Sequence, residues 1–363
     1  MAKVKGFLER IKDGEQIIVA EGYLFLFERR GYLKAGPFVP EVILENPELV
    51  RSAYREFVHA GSDVVLAFTY YAHREKMRII GREHELTKMN MDALRMAREV
   101  ADETGTLMAG NISNTNLYFP GDGEKDRTIK EMFKEQVEWA VKAGADFIVG
   151  ETFNYLGEAM LALEAVKEVG NGLPCVITFS TGATQIRDGK YITLGLEPYD
   201  QVCQKIYDAG ATVVGLNCGR GPETMIPMLE QIRESYKGPL AALPVPYRTT
   251  EEEPSYLTIK DPTNGERLFP VNLHVVYCSH TDIARFADKC KELNINYVGI
   301  CCGNQASFTR TIAEQFGRTP PASRFSLDMS KHVIFGTDDG VDKANQSTYQ
   351  PLVEQAKERD DHL

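Results

Sequence analysis

The segment "KAGADFIVGETF" (142–153) decides the fold class, because it joins a helix end to a buried strand and a polar terminus. Gly144 suits the left-handed backbone conformation that ends many helices. The apolar run after Gly144 is typical of a parallel strand that is buried on both faces. Glu151 then places a carboxylate at the end of this strand. This order predicts one repeat of an α/β fold with a parallel sheet.

The same order of features recurs in three other segments. They are "HAGSDVVLAFTYY" (59–71), "DAGATVVGLNCG" (208–219) and "ELNINYVGICCG" (292–303). Each begins with Gly or Asn at a helix end, continues as an apolar run and ends in polar or reactive side chains. Four further strands are predicted at 16–21, 106–112, 174–180 and 239–244.

The residues between the predicted strands have the spacing of amphipathic helices. In "NPELVRSAYREFVHAG" (46–61), Asn46 is the expected N-cap and Pro47 the first helical residue. One face of this helix carries Leu49, Val50, Ala53, Tyr54, Phe57 and Val58. The segment "KEMFKEQVEWAVKAG" (130–144) has an apolar face of Phe133, Val137, Ala140 and Val141.

Eight strands separated by helices, with no strong linker, predict a (β/α)8 TIM barrel rather than an open doubly wound sheet. We expect this barrel over residues 1–319. Residues 320–363 become polar and irregular. We expect them to form a short C-terminal extension that packs on the barrel, or on a partner subunit in a homo-oligomer.

The composition narrows the class of partner. The 363 residues carry a net charge of −11, which argues against a nucleic-acid partner, since such a partner requires a basic face. No apolar run approaches the ~20 residues needed to cross a bilayer, and the first 15 residues lack the core of a signal peptide. We therefore expect a cytoplasmic protein without a membrane partner. In that compartment cysteines are more often core residues, ligands or nucleophiles than disulfides.

A TIM barrel carries its chemistry at the C-terminal ends of its strands. The predicted strand ends carry Glu21, Thr69, Tyr70, Tyr71, Asn111, Glu151, Ser180, Cys218, Pro244, Cys301 and Cys302. The strands that end in Cys218 and Cys301 are separated by one strand, so these ends are expected to lie roughly 10 Å apart. Thiolates that reach inward from both strands could meet on one ion.

Four of the seven cysteines have a structural interpretation. Cys203 and Cys290 belong to apolar stripes of predicted helices, and Cys175 lies inside an apolar strand. Cys278, next to His280 in "YCSH" (277–280), is also interpreted as structural.

The other three cysteines all lie at strand ends, and a glycine closes each motif. Cys301 and Cys302 would point to opposite faces of a regular strand. They can share an ion only if the strand has already turned into a loop, which Gly303 allows. A metal site shared with Cys218, an idle core pair and a redox pair all stay open on spacing alone.

Three sulfur ligands would favour zinc and would leave one tetrahedral position vacant, as in catalytic zinc sites. An iron–sulfur cluster with one open iron is the competing interpretation, although closely spaced Cys-x-x-Cys pairs are missing. Zinc with three thiolates carries a formal negative charge, so it suits the binding and deprotonation of another thiol. The expected reaction is alkylation of sulfur.

The motifs "GLNCG" (215–219) and "GICCG" (299–303) resemble the zinc-binding pattern of the homocysteine S-methyltransferase family. That pattern is Gly-x-Asn-Cys followed far downstream by Gly-Gly-Cys-Cys-Gly, and here Ile300 replaces its second glycine. Within the family, the segments "ERRGYLKAGPF" (28–38), "AFTYYA" (67–72) and "PPAS" (320–323) are similar to the betaine–homocysteine branch. The resemblance implies a zinc-bearing barrel that methylates homocysteine to methionine.

The resemblance also implies roles for individual residues. Cys218, Cys301 and Cys302 match the zinc ligands. Glu151 matches the carboxylate that binds the amino group of homocysteine, and Glu21-Gly22-Tyr23 replaces an Asp-Gly-Gly at the same pocket. Glu21 keeps a carboxylate there, while Tyr23 removes the second glycine, so the pocket floor is expected to differ.

The methyl donor is expected to be a small onium compound. By resemblance, Phe38, Tyr70 and Tyr71 match an aromatic cage, which binds a quaternary ammonium through cation–π attraction. Phe38 stands where the betaine branch has Trp, and Thr152 replaces another cage tyrosine. Betaine is the first candidate, and a sulfonium such as dimethylsulfoniopropionate or S-methylmethionine is the alternative. Tyr71 is expected to orient the donor or to occupy the fourth zinc position without substrate.

Two further classes stay open. One is a non-catalytic barrel that keeps zinc as a staple or sensor, which the altered Glu21-Gly22-Tyr23 and the missing cage tyrosine would favour. The other is a lyase or aldolase barrel that uses Glu151 and a lysine. No lysine lies at a predicted strand end, which disfavours the second class.

Overall fold

The structure is a computed structural model that describes residues 5–328, 348–351 and 354–355. Contacts divide the chain into two units, Met1–Pro321 and Ala322–Leu363. The expected packing of residues 320–363 on the barrel or on a partner subunit falls mostly outside the described residues and stays a prediction. Among the described residues, no helix has both the length and the apolar composition that crossing a bilayer requires.

Eight parallel strands close into a barrel, and two short antiparallel strands form a separate hairpin. The strands are β1 (Ile17–Ala20), β2 (Val64–Leu66), β3 (Leu107–Ser113), β4 (Phe147–Phe153), β5 (Cys175–Ser180), β6 (Gln185–Arg187), β7 (Lys190–Ile192), β8 (Val213–Asn217), β9 (Leu240–Leu243) and β10 (Tyr297–Ile300). The order around the barrel is β1-β10-β9-β8-β5-β4-β3-β2, with β2 next to β1 again. The predicted (β/α)8 barrel is confirmed.

Twelve α-helices lie within residues 5–328, and most of them follow barrel strands. They are α1 (Phe7–Lys12), α2 (Tyr23–Arg29), α3 (Val42–Glu45), α4 (Pro47–His59), α5 (Arg74–Ile79), α6 (Leu86–Thr104), α7 (Gly123–Lys142), α8 (Leu156–Val169), α9 (Tyr199–Asp208), α10 (Pro222–Ser235), α11 (His280–Glu292) and α12 (Ala306–Gln315). Short 3₁₀ turns cover Glu83–Glu85, Leu273–Val276 and Pro321–Phe325.

The helix ends that the repeated segments predict are present. Gly61, Gly144, Gly210 and Asn294 all have positive φ, from 50° to 113°, and each follows the C-cap residue of α4, α7, α9 or α11. A left-handed residue at this position ends the helix and turns the chain into the next strand. Asn46 occupies the N-cap position of α4, but its side chain makes no capping hydrogen bond.

The core of the barrel consists of strand residues that are almost all buried. Every residue of β1, β2, β3, β8, β9 and β10 is buried, as expected for parallel strands covered on both faces. Cys175, Cys203 and Cys290 lie within this apolar core, and Cys278 is buried as well. Because the strands are parallel and closed, all their carboxyl ends open at one mouth.

Candidate active site

Three cysteine sulfurs meet at the mouth of the barrel. Cys218 directly follows β8, and Cys301 and Cys302 follow β10, with β9 between the two strands. The Sγ atoms of Cys218, Cys301 and Cys302 all lie within 4.8 Å of one another, and the Cys301–Cys302 distance is 3.9 Å. All seven cysteines are free. The structure thus brings together the three thiols that the sequence singles out.

The backbone turns at both strand ends to aim these thiols inward. β10 ends at Ile300, so Cys301 and Cys302 already belong to the turn that Gly303 completes with a φ of 99°. The Cys301 amide donates to the Pro244 carbonyl at 2.9 Å, which ties this turn to the end of β9. Cys218 itself adopts a φ of 57°, which is uncommon for a residue with a side chain.

Hydrogen bonds among the three thiols shift the pKa values of Cys218 and Cys301 in opposite directions. Hydrogen bonds from the Cys301 and Cys302 thiols hold the pKa of Cys218 well below its ordinary value. The pKa of Cys301 is raised well above its ordinary value, chiefly because it donates to Cys218. The trio therefore favours one negative charge in a buried site. A soft cation would release the remaining protons, because metal binding requires deprotonated thiols.

Glu151 lies beside the sulfurs, near the C-terminal end of β4. Its Oε1 accepts from Asn111 Nδ2 at 2.6 Å, and its Oε2 accepts from Asn217 Nδ2 at 3.1 Å. Burial raises the pKa of Glu151 to about 7. The pairing of β4 with β5 shifts register between Gly150 and Phe153, and such a bulge re-aims the side chain at that point.

Glu21 is a second buried carboxylate at the same point. It is fully buried, and neither of its oxygens has a hydrogen-bond partner among the described residues. A carboxylate oxygen of Glu21, one of Glu151 and the Cys301 sulfur lie within 4.8 Å of one another. Burial, followed by the charge of Glu151, raises the pKa of Glu21 well above its ordinary value. Two buried carboxyl groups this close repel each other when both are ionised, so the pair is suited to receive a cationic group.

Gly22 allows the end of β1 to pack directly on the cysteine turn. With a φ of 78°, it leaves no space for a side chain, because a Cβ there would lie 2.3 Å from the Cys301 carbonyl oxygen. Tyr23 lines the small cavity at this point and packs its ring against Tyr54 and Phe57 on α4 at centroid distances of 5.4 and 5.7 Å. The residue that replaces the family's second glycine thus contributes to the helix packing.

Two cavities open on the cysteine cluster from different sides. The smaller one is lined by Gly22, Asn111, Glu151 and Cys301, among others. The larger one, of about 360 Å³, is lined by Cys218, Asn116 and a group of aromatic rings. Leu24, Tyr70, Thr152 and Cys302 line both cavities and form their common wall.

The larger cavity contains all three predicted cage residues. Phe38, Tyr70 and Tyr71 line it, and the Tyr70 and Tyr71 rings lie 4.3 Å apart. The Tyr70 hydroxyl donates to Asn114 Oδ1 at 3.3 Å. The Lys76 ammonium lies 4.1 Å from the centre of the Tyr71 ring, so Tyr71 already makes a cation–π contact within the protein.

Three further aromatic residues line this cavity and were missed by the sequence analysis. They are Phe25 on α2, and Tyr256 and Phe269 in the irregular segment 244–279 between β9 and α11. Asn217 was also missed as a functional side chain, although it lies inside the "GLNCG" motif that could have revealed it. The irregular segment offered no comparable signal.

Strained backbone is concentrated around the larger cavity. Nine non-glycine residues have positive φ within the described ranges, and five of them line this cavity. These five are Phe38, Tyr71, Asn116, Thr152 and Cys218. Such conformations cost about 1–3 kcal/mol each and cluster at functional sites. The concentration indicates that this mouth is built for a ligand.

Comparison with known proteins agrees with the motifs. The homocysteine S-methyltransferase family model matches residues 26–316. The chain belongs to the homocysteine S-methyltransferase family. Cys218, Cys301, Cys302 and Glu151 lie inside the matched range, whereas Glu21 and Gly22 precede it. The resemblance that the sequence motifs indicated is therefore confirmed.

Two curated relatives illustrate the branches of this family. The chain is 33% identical to betaine–homocysteine S-methyltransferase 1 of Bos taurus over 343 residues, or 92% of this chain and 79% of the relative. It is also 33% identical to the S-methylmethionine–homocysteine S-methyltransferase of Mus musculus, over 88% of this chain and 84% of the relative.

A solved homocysteine methyltransferase shares the fold. The enzyme MmuM from Escherichia coli, in its metallated form, superposes with a TM-score of 0.64 at 18% identity. The superposition covers 85% of this chain and 99% of MmuM. Its oxidized form superposes with a TM-score of 0.65 at 16% identity.

Proposed function

We propose that the protein transfers a methyl group from a small onium donor to the sulfur of homocysteine, giving methionine and the demethylated donor. Betaine is the first candidate donor. The observation that carries this proposal is the position of three sulfurs beside a small cavity lined by Glu151, with Glu21 buried next to it, and a larger cavity bordered by aromatic rings. The identity of 33% to betaine-dependent relatives supports the same reaction.

The proposal includes a zinc ion held by Cys218, Cys301 and Cys302. A tetrahedral zinc with Zn–S bonds of about 2.3 Å separates two sulfur ligands by about 3.8 Å. The Cys301–Cys302 distance of 3.9 Å fits this value, and Cys218 lies within reach of both sulfurs. Zinc bound here would supply the acceptor thiol in its deprotonated, nucleophilic form at neutral pH.

Glu21, Gly22 and Glu151 are proposed to bind the amino acid part of homocysteine. The ammonium group of homocysteine between the two carboxylates would let both of them ionise, because it offsets their mutual repulsion. It would also supply the hydrogen bonds that the oxygens of Glu21 lack. Gly22 lines the same small cavity, and its lack of a side chain lets the end of β1 pack on the Cys301 turn.

The donor is proposed to bind in the larger cavity against Phe38, Tyr70 and Tyr71. Their ring faces attract an onium cation, and Tyr71 is proposed to orient its methyl group toward the acceptor sulfur. In the reaction, the methyl–onium bond breaks as the methyl–sulfur bond forms, so an anion and a cation neutralise each other. A site that excludes water favours this step, as does holding both reactants at near-attack distance.

A sulfonium donor, dimethylsulfoniopropionate or S-methylmethionine, is the second candidate. Phe38 and Thr152 stand where the betaine branch has Trp and Tyr, so two walls of its cage differ in this chain. The identity to the mouse S-methylmethionine-dependent relative also favours this donor class. The acceptor and the cysteine cluster would be the same in both cases.

The deciding experiment measures methionine formation from homocysteine with betaine, dimethylsulfoniopropionate and S-methylmethionine side by side, together with zinc content. We expect about one zinc per chain and turnover with at least one donor. Glu151→Gln is the matched variant, and it should raise the KM for homocysteine. Zinc binding without turnover on any donor would replace the proposal by a non-catalytic zinc barrel, and absence of zinc would overturn it entirely.

Two expectations stay predictions beside this proposal. A cytoplasmic location is supported by seven cysteines that are all free, since disulfides are rare in that compartment. A homo-oligomer assembled through residues 320–363 can be checked by light scattering of the full chain and of a chain that ends at Pro320.

A further inference from the structure

The Tyr256 side chain connects the aromatic cavity to the cysteine cluster. Its ring lines the larger cavity, and its hydroxyl oxygen lies 3.8 Å from the Cys218 sulfur. The structure gives this hydroxyl no other hydrogen-bond partner among the described residues. Tyr256 is 8% exposed, so water has little access to the contact.

The backbone of Tyr256 is tied to the same point of the chain. Its amide donates to the carbonyl of Gly219 at 2.9 Å, directly after Cys218. Both ends of the residue are therefore anchored on one two-residue turn at the end of β8. This double attachment fixes the distance between the hydroxyl and the sulfur.

The ring of Tyr256 is held on several sides by other aromatic rings. It stacks on Tyr247 at 5.9 Å with an interplanar angle of 11°. The edges of Phe269 and Phe25 lie at centroid distances of 5.4 and 6.2 Å. Such packing restricts the ring to one orientation, so the hydroxyl cannot turn away from Cys218 without disturbing its neighbours.

We propose that the Tyr256 hydroxyl donates a hydrogen bond to the metal-bound thiolate of Cys218 and positions that sulfur as a ligand. A thiolate can only accept, and a phenol is protonated at neutral pH, so the direction of the hydrogen bond is fixed. Partners of metal ligands orient them and tune their basicity. This inference rests on the proposed function, because it requires a metal on the three cysteines.

The test compares Tyr256→Phe with the unchanged protein loaded with cobalt(II), whose thiolate-to-metal charge-transfer band reports on the sulfur. Without the hydrogen bond from the Tyr256 hydroxyl, the Cys218 thiolate is richer in electrons, so the band moves to longer wavelength. Replacing Tyr256 by 3-fluorotyrosine, a more acidic donor, moves it to shorter wavelength. Zinc affinity from chelator competition falls about 10-fold or more in Tyr256→Phe, as is typical for partners of metal ligands.

Tyr236→Phe is the matched control, because it removes another buried hydroxyl, which donates to the Pro239 carbonyl at the opposite end of the barrel. It leaves the band and the zinc affinity unchanged. A band that stays in place in both Tyr256 variants overturns the inference while the proposed function stands. Failure of the unchanged protein to bind one metal per chain overturns the proposed function itself.

Discussion

Asn217 donates from its Nδ2 atom to Oε2 of Glu151 at 3.1 Å, and the same nitrogen lies 3.8 Å from the Cys301 sulfur. The Asn217 amide thus lies between Glu151, which is proposed to bind homocysteine, and the proposed metal ligands. It also donates to Thr152 Oγ1 at 2.8 Å, while its Oδ1 accepts from the Thr152 amide at 3.0 Å. Asn217 therefore stabilises the strained turn that aims Glu151.

Asn217→Ala should weaken the binding of homocysteine. A hydrogen bond to a charged group contributes about 1.5–3 kcal/mol, so the KM for homocysteine should rise roughly 10- to 100-fold. Asn296→Ala is the control, because Asn296 is also buried but precedes β10 at the far end of the barrel. Steady-state kinetics should show no comparable change in the control. Equal effects in both variants would assign the loss to general destabilisation.

Cys218→Ala should lose most of its bound zinc, because it removes one of only three proposed protein ligands. Cys203→Ala removes an equally buried cysteine from α9, within the apolar core, and should keep about one zinc per chain. Metal analysis of the purified proteins after dialysis checks this prediction. Zinc retained in full by Cys218→Ala would mean that other residues hold the metal.

Tyr70→Leu should raise the KM for the onium donor roughly 3- to 30-fold, because a cation–π contact contributes about 0.5–2 kcal/mol. Tyr70→Phe keeps the ring and loses only the hydrogen bond to Asn114, so its effect should be smaller. Inhibition by 3,3-dimethylbutyrate, in which a neutral tert-butyl group replaces the quaternary ammonium of betaine, separates charge from shape. If Tyr70→Leu weakens donor and isostere equally, the ring contributes shape alone.

His73 should make the fold sensitive to acid. It precedes α5, its Nδ1 accepts from the Lys76 amide at 3.4 Å, and burial lowers its pKa to about 4. The unfolded chain, with a His pKa near 6.5, therefore binds the proton first. The contribution of neutral His73 to stability is therefore complete above pH 6.5. As the pH falls toward 4, this contribution is lost, and the free energy of unfolding decreases by roughly 3 kcal/mol.

The check on His73 is urea unfolding of the metal-free protein at several pH values between 7 and 4. His73→Asn keeps a side-chain acceptor for the helix cap but cannot titrate in this range. The unfolding free energy of the unchanged protein minus that of His73→Asn should decrease as the pH falls, since the other titrating groups are common to both. A difference that does not vary with pH would show that His73 does not control acid stability.

The parts of the fold that follow local rules could be predicted from the sequence. All eight barrel strands were found because a strand buried on both faces has a continuous apolar run. The left-handed residues that begin each repeat, such as Gly144 and Asn294, followed from helix-capping rules. The three cysteines were brought together because parallel strands of a closed barrel end at one mouth.

Other features depend on long-range packing and left no local pattern. The β6–β7 hairpin was missed because its strands have three residues each and are partly exposed, so no apolar alternation marks them. Tyr256 and Phe269 reach the cavity from an irregular segment, where spacing carries no information about direction. The turn at Thr152, with a φ of 65°, likewise arises from its contacts with Asn217 and not from its own preference.

The common wall of the two cavities constrains how such a barrel can be retuned. Because Leu24, Tyr70, Thr152 and Cys302 line both cavities, a substitution there reshapes the proposed acceptor side and the proposed donor side together. Phe38 and Phe269 border only the larger compartment. Directed evolution toward a new alkylating reagent should therefore begin at these two rings, where variation leaves the proposed homocysteine site intact.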